Sequence, residues 1–128
     1  MEKTMAKKIL VIDDNEEDRE IMKRFLRKAG YANLSFAQNG TEGIQLARQE
    51  KPDLIILDIV MPQKDGTQVA RLLGQDATTH NIPIIFVTSL VRDGENQGGA
   101  TRVFGKPFNA MAFLEKVGEV LSEAGGLG

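Results

Sequence analysis

Asp13 and Asp14 directly follow the apolar run Ile9-Leu10-Val11-Ile12, and Asp58 directly follows Leu54-Ile55-Ile56-Leu57. If the two runs are neighbouring parallel strands, three carboxylates converge on one sheet edge. Like charges held so close raise one another's pKa and repel unless a cation sits among them. A hard divalent metal with oxygen ligands is the natural resolution, so metal binding is the first chemistry these residues suggest. Asp58 suggests a second, because a carboxylate can attack phosphorus and form an acyl phosphate. Phosphohydrolases built on such an aspartate usually carry another acid two residues later, where this chain has Val60. Acceptance of a phosphoryl group is therefore expected without the general acid that rapid turnover needs.

Two further polar residues stand where the same edge would lie. Thr88 ends the run Ile84-Ile85-Phe86-Val87, and Lys106 precedes Pro107 after a weaker strand-like run. A hydroxyl there can bond a phosphoryl oxygen, and an ammonium can offset the acids and hold the phosphoryl group. Each residue also has a plain structural reading. Asp14 can cap a helix with Glu17 at the third position, Asp58 can be a turn residue, a β-branched Thr88 suits a strand end, and a lone lysine is usually solvated. Capping needs only one acid, however, and Asp13, Asp14, Glu16, Glu17 and Asp18 put five in six positions. That run excludes a flavodoxin-like phosphate loop, which needs neutral residues presenting backbone N–H groups, so any phosphate must arrive with a metal. The single histidine, His80, lies in a polar loop, where it is expected to be exposed and idle; with no second histidine, a histidine-ligated zinc is not expected.

The elements that must position these residues alternate. Strand-like runs fall at 8–12, 53–57 and 83–87, with weaker ones at 34–37 and 102–105. The first three are apolar from their second residue on, as expected of strands buried on both faces. Between them, Ile21, Met22, Phe25, Leu26 and Ala29 recur at helical spacing up to Gly30; Ile44 and Ala47 mark a second helix, and Val69, Leu72 and Leu73 a third. A last helix carries Ala110, Phe113, Leu114, Val117, Val120 and Leu121 on one stripe, with Asn109 as its cap and Gly125-Gly126 beyond its end. Alternating strands and helices imply right-handed crossovers and a doubly wound parallel α/β domain of about five repeats. Ligands of such sheets bind at the carboxyl ends of the strands, where the acids stand.

Bulk properties narrow the function classes. The 128 residues are expected to form one domain, with a core from about 7 to 123 and flexible ends at 1–6 and 124–128. A net charge of −2 gives no basic face for nucleic acid, and neither a signal peptide nor a membrane span is expected. The absence of cysteine excludes disulfides and thiolate metal sites and fits a cytoplasmic protein.

Asp13-Asp14, Asp58 with Met61-Pro62 and Gly66 behind it, Thr88, and Lys106-Pro107-Phe108, in this order, resemble a response-regulator receiver domain of two-component signalling over residues 7 to 123. The resemblance implies a CheY-like, five-stranded fold of order 2-1-3-4-5. It implies that Asp58 accepts a phosphoryl group from a phosphohistidine of a sensor histidine kinase or histidine phosphotransfer protein. Asp13, Asp14, Asp58 and the backbone carbonyl of Val60 would hold Mg²⁺, with Mn²⁺ a permitted substitute, while Thr88 and Lys106 would contact the phosphoryl oxygens. The chain would then be a switch and not a turnover enzyme, monomeric or weakly dimeric, acting on a downstream protein without direct contact to DNA. The competing reading is a receiver-like adaptor that signals without phosphate.

Two features depart from the family pattern. An aromatic residue usually stands three positions before the lysine, where this chain has Val103; Phe104 is adjacent but on a regular strand faces the other side. Only 18 positions separate Thr88 from Lys106, about one helical turn fewer than usual, and Gly94, Gly98 and Gly99 fall between them. Each glycine disfavours helix by ~1 kcal/mol relative to alanine, so the fourth crossover helix is expected to be short or irregular and the usual output face remodelled. Ser89 in place of a small alanine, with Val60 and Leu90 beside the acceptor, leads us to expect slow loss of phosphate.

Overall fold

The computed structural model describes residues 6–61, 65–88, 103–105 and 109–126. Its elements run β1 (Lys8–Ile12), α1 (Glu16–Lys28), β2 (Asn33–Ala37), α2 (Gly40–Glu50), β3 (Leu54–Asp58), α3 (Gly66–Gln75), β4 (Ile84–Thr88), β5 (Val103–Gly105) and α4 (Ala110–Gly126). The stretch expected to hold an irregular crossover helix, 90–99, lies outside the described residues.

Every strand pairing is parallel, and the four full-length strands lie in the order β2-β1-β3-β4, with the three-residue β5 beside β4. The two apolar runs ending in acids are thus neighbours, with Ile12 opposite Leu57. Their amino ends are locked by a reciprocal pair: the Lys8 amide donates to the Asp53 carboxylate at 2.8 Å, and the Asp53 amide to the Lys8 carbonyl at 2.8 Å. A one-residue slip would invert both strands' faces, so this lock and the two-sided burial fix the register together.

Alternate residues divide the core. Ile9, Val11, Leu54, Ile56, Ile85 and Val87 pack with Met22 and Leu26 of α1 and Phe113, Val117, Val120 and Leu121 of α4. Leu10, Ile12, Ile55 and Leu57 face the other way, onto Ala47 of α2 and Val69 and Leu73 of α3. Helices therefore cover both faces of the sheet, as the uninterrupted apolar runs require.

Three sequence-based expectations are corrected. The cap of α1 is Asn15 and not Asp14: the Asn15 side chain accepts from the Asp18 amide at 2.9 Å, while Asp14 stays exposed in the turn before it. Gly125 and Gly126 lie within α4 rather than past it. Among the described residues only Gly30 is a glycine with positive φ, 103°, and it ends α1, whereas the final pair keeps helical backbone. Leu72 is exposed at the margin of its helix, leaving Val69 and Leu73 to form the buried contact of α3. Asn109 does cap α4, accepting from the Ala112 amide at 3.0 Å.

Away from the acid edge, Asp76 at the end of α3 accepts from the Thr78 hydroxyl at 2.6 Å and its amide at 2.8 Å, and from Arg48 of α2 at 2.5 Å. Led by the Thr78 hydroxyl, these donors hold its carboxyl down from the ordinary 3.8 to about 2. A depressed folded-state pKa contributes stability above the unfolded value and loses it as pH falls through the folded one. The unfolding temperature of the wild type should fall more steeply than that of Asp76→Asn between pH 3.8 and about 2. The pair reaches solvent through the exposed Arg48, so added salt should shrink the difference; parallel acid limbs for the two proteins would refute it.

Candidate functional site

The site is assembled where β1 and β3 end side by side. β1 stops at Ile12, opposite Leu57, and the next residue on each strand is an aspartate. Asp13 is fully buried and Asp58 is 4% exposed, while Asp14 reaches solvent. One carboxylate oxygen from each of Asp13, Asp14 and Asp58 lies within 4.8 Å of the others. Two buried carboxylates and one exposed one at this spacing suit a cation that enters from solvent and keeps part of its water shell. The donor set is all oxygen, which fits Mg²⁺ or Ca²⁺ and disfavours zinc or copper.

The two buried acids are each held by their own loop. The Asp13 amide donates to the Ala37 carbonyl of β2 at 3.0 Å, and its carboxylate accepts from the Asn15 amide at 2.9 Å. Asp58 accepts from the Val60 amide at 3.3 Å, and the Ile59 amide donates to the Val87 carbonyl of β4 at 3.0 Å. Beyond Ile59 the chain returns so closely that the Gly66 amide reaches the Ile59 carbonyl at 2.7 Å. A Cβ on Gly66 would meet the Asp58 carbonyl oxygen and fall 2.7 Å from the Ile59 Cα, so only glycine fits there. Asp65 closes the return with a capping box, accepting from the Gln68 amide at 3.0 Å while Gln68 accepts from its amide at 3.1 Å.

Thr88 is the last residue of β4 and is 1% exposed. Asp58 pairs with Val87, so Thr88 stands one position further along the neighbouring strand. Thr88 in turn pairs with Gly105, the residue that precedes Lys106. Lys106 itself, with Pro107 and Phe108, lies outside the described residues, as do Ser89 and Leu90. Val60, two residues after Asp58, is 47% exposed, and His80 is exposed in its loop.

Two contributors were missed in the sequence. Asn15 carried a findable signal, an Asn with an acid three residues later at the head of an apolar periodic segment. Arg19 carried none: its Nη1 donates to the Asp13 carbonyl at 2.6 Å, a contact that depends on how α1 leaves the sheet. Asn15→Ala should cost about 1 kcal/mol of stability, the usual worth of a cap, measured by urea unfolding. Unchanged stability would mean that the neighbouring acids carry the start of α1 alone.

A doubly wound parallel sheet with an acid cluster at its carboxyl edge and a threonine ending the adjacent strand defines a CheY-like α/β class. The sequence model of the response regulator receiver domain matches residues 9–118, and the chain belongs to that family. It is 32% identical to the polar-differentiation response regulator DivK of Brucella anthropi, over 94% of this chain and 100% of that protein. Among solved structures it is similar to the Vibrio cholerae chemotaxis protein CheY4, with a TM-score of 0.77 and 28% identity over 89% of this chain and 98% of that one. It also shares the fold of the receiver domain of the Pseudomonas aeruginosa sensor histidine kinase PA1611, with a TM-score of 0.73 and 23% identity over 91% of this chain and 95% of that one. That structure has a magnesium ion coordinated in its active-site cleft. The family is one of signalling switches. Among the described residues, no helix is long and apolar enough to cross a membrane.

Proposed function

We propose that the protein is a phosphoacceptor switch in which Asp58 receives a phosphoryl group from a phosphohistidine of a sensor kinase or phosphotransfer protein. The observation that carries this reading is the convergence of Asp13, Asp14 and Asp58 within 4.8 Å, with Asp58 nearly buried. Asp13, Asp14, Asp58 and the Val60 carbonyl would hold Mg²⁺, which supplies neutralisation of the charge on the incoming phosphoryl oxygens. The chain's own residues do the rest. Burial limits Asp58 to a narrow approach, and the Val60 amide helps orient its carboxylate for in-line attack.

As the bond from the Asp58 oxygen to phosphorus forms, the phosphorus–nitrogen bond of the donor breaks, and its electron pair returns to the imidazole. The Thr88 hydroxyl and the Lys106 ammonium would then meet oxygens of the acyl phosphate. Phosphorylation adds charge and acceptors at an edge shared by β1, β3 and β4, which biases the surface a downstream protein reads. On this reading the chain acts in the cytoplasm, consistent with its lack of cysteine.

The test is incubation of the full chain with Mg²⁺ and acetyl phosphate or a phosphorylated kinase, followed by intact mass. One added phosphoryl group is expected. No addition from either donor would reject the switch in favour of an adaptor that signals without phosphate.

A further inference from the structure

Asp13 is held at three points. Its amide is tied to β2, its carboxylate to the Asn15 amide, and its carbonyl to Arg19 of α1. The last contact differs in kind, because the donor is a guanidinium that reaches back from α1 to the carbonyl of a residue at the end of β1. At 2.6 Å it is the shortest of the three, as a charge-assisted bond should be. The Arg19 backbone is fixed in the first turn of α1, its amide donating to the Asn15 carbonyl at 3.1 Å. Asn15 therefore holds the Asp13 carboxylate and Arg19 its carbonyl, tying the Asp13-Asp14 turn through side chain and backbone alike.

We propose that Arg19 is a positioning residue of the acid cluster, holding the Asp13-Asp14 turn so that both carboxylates meet a divalent cation without rearrangement. The proposal deepens the phosphoacceptor reading, on which the cation's use rests; the cation's binding can be measured apart from any phosphoryl transfer.

Charge and geometry make opposite demands at this position. Removing a positive charge near three carboxylates favours an incoming cation through Coulomb's law alone. Removing the hydrogen bond frees the turn, and the cation must then order it. Groups that orient metal ligands from behind are worth about tenfold to 100-fold in affinity, so geometry should win. The predicted direction is therefore the reverse of the simple electrostatic one.

The experiment is calorimetric titration of MgCl₂ into the full-length, unphosphorylated protein at constant ionic strength, with thermal unfolding as the check on folding. Arg19→Ala should weaken Mg²⁺ binding about tenfold, and Arg19→Lys, which keeps a charged donor, should recover part of the loss. Arg24→Ala removes an exposed charge from the same helix and should leave affinity equal or slightly tighter. Affinity in Arg19→Ala equal to or tighter than wild type would overturn the proposal, as would an equal loss in Arg24→Ala. If Arg19→Ala does not fold, the neutral Arg19→Gln replaces it under the same two outcomes. A wild type that binds Mg²⁺ yet takes no phosphoryl group defeats the phosphoacceptor reading alone, and the titration still decides the role of Arg19. A wild type that binds no Mg²⁺ overturns both.

Discussion

Asp58→Ala should take up no phosphoryl group from acetyl phosphate and Mg²⁺ under conditions that label the wild type fully. Asp58 is the member of the cluster that lies on β3, in the middle of the sheet, with β1 on one side and β4 on the other. Asp13 is turned to its own loop through the Asn15 amide, and Asp14 is exposed. Asp13, fully buried, offers an incoming donor no approach, and Asp14, open to solvent, offers no single direction of attack. Asp58→Asn separates nucleophilicity from shape: it should also stay unlabelled while keeping the fold. Without Mg²⁺, its unfolding temperature relative to the wild type reports how far the converging charges are offset within the protein. Labelling that survives in Asp58→Ala would move the acceptor to another residue and defeat the assignment. A marked drop in stability of Asp58→Asn would show that the cluster's repulsion is already offset by the protein.

Gly66→Ala should be the most damaging single methyl added to the chain near the site. The new Cβ would fall against the carbonyl of Asp58 and 2.7 Å from the Ile59 Cα, both backbone atoms that cannot rotate away. Either α3 retreats, opening the contact of Val69 and Leu73 with the core, or the Asp58-Ile59 backbone shifts and carries the acceptor with it. Overpacking of this kind costs typically 1–3 kcal/mol, and here the upper part of that range is expected, about 3 kcal/mol by urea unfolding. The acceptor's displacement adds a functional signature: labelling by acetyl phosphate should slow at least tenfold even at saturating Mg²⁺, since a misplaced reacting atom loses far more rate than binding. Normal labelling kinetics in a destabilised Gly66→Ala would show that α3 yields and the acceptor loop does not.

Much of this arrangement was legible before any coordinates. Uninterrupted apolar runs of β-branched and leucine residues ending in Asp13 and Asp58 specify two-face burial, and connectivity then places the acids at a carboxyl edge. The strand bounds moved by one residue at β3 and β4, drawing Asp58 and Thr88 into the strands they end. What was not legible depends on competition between near-equal local choices. Asp14, Asn15 and the acids after them are all good caps, and the choice of Asn15 follows from Asp13 and Asp14 being committed to the turn before the helix. Gly125-Gly126 looked like a stop, yet a glycine ends a helix only when its backbone turns left-handed, which depends on the chain that follows. The Arg19 contact spans six residues across a change of element, beyond any periodic pattern. Val103 and the short Thr88-Lys106 interval were read as a remodelled output face, and that stretch falls largely outside the described residues.

The strand order also governs how the chain is made. Of the strands of this sheet β1 leaves the ribosome first, yet it ends up inside the sheet, with β2 on one edge and β3 on the other. Its four residues Ile9 to Ile12 are at most 1% exposed in the finished protein. After β2 has emerged, one edge of β1 stays open until Leu57 is available to meet Ile12. At roughly 5–20 residues per second that wait lasts several seconds, with an apolar, unpaired parallel edge in view. The acidic run from Asp13 to Asp18 directly follows that strand. Flanking charge is one of the devices that disfavour pairing of an exposed apolar strand with another chain, so the same acidic run that contributes to the cluster also suits the exposed stage of β1.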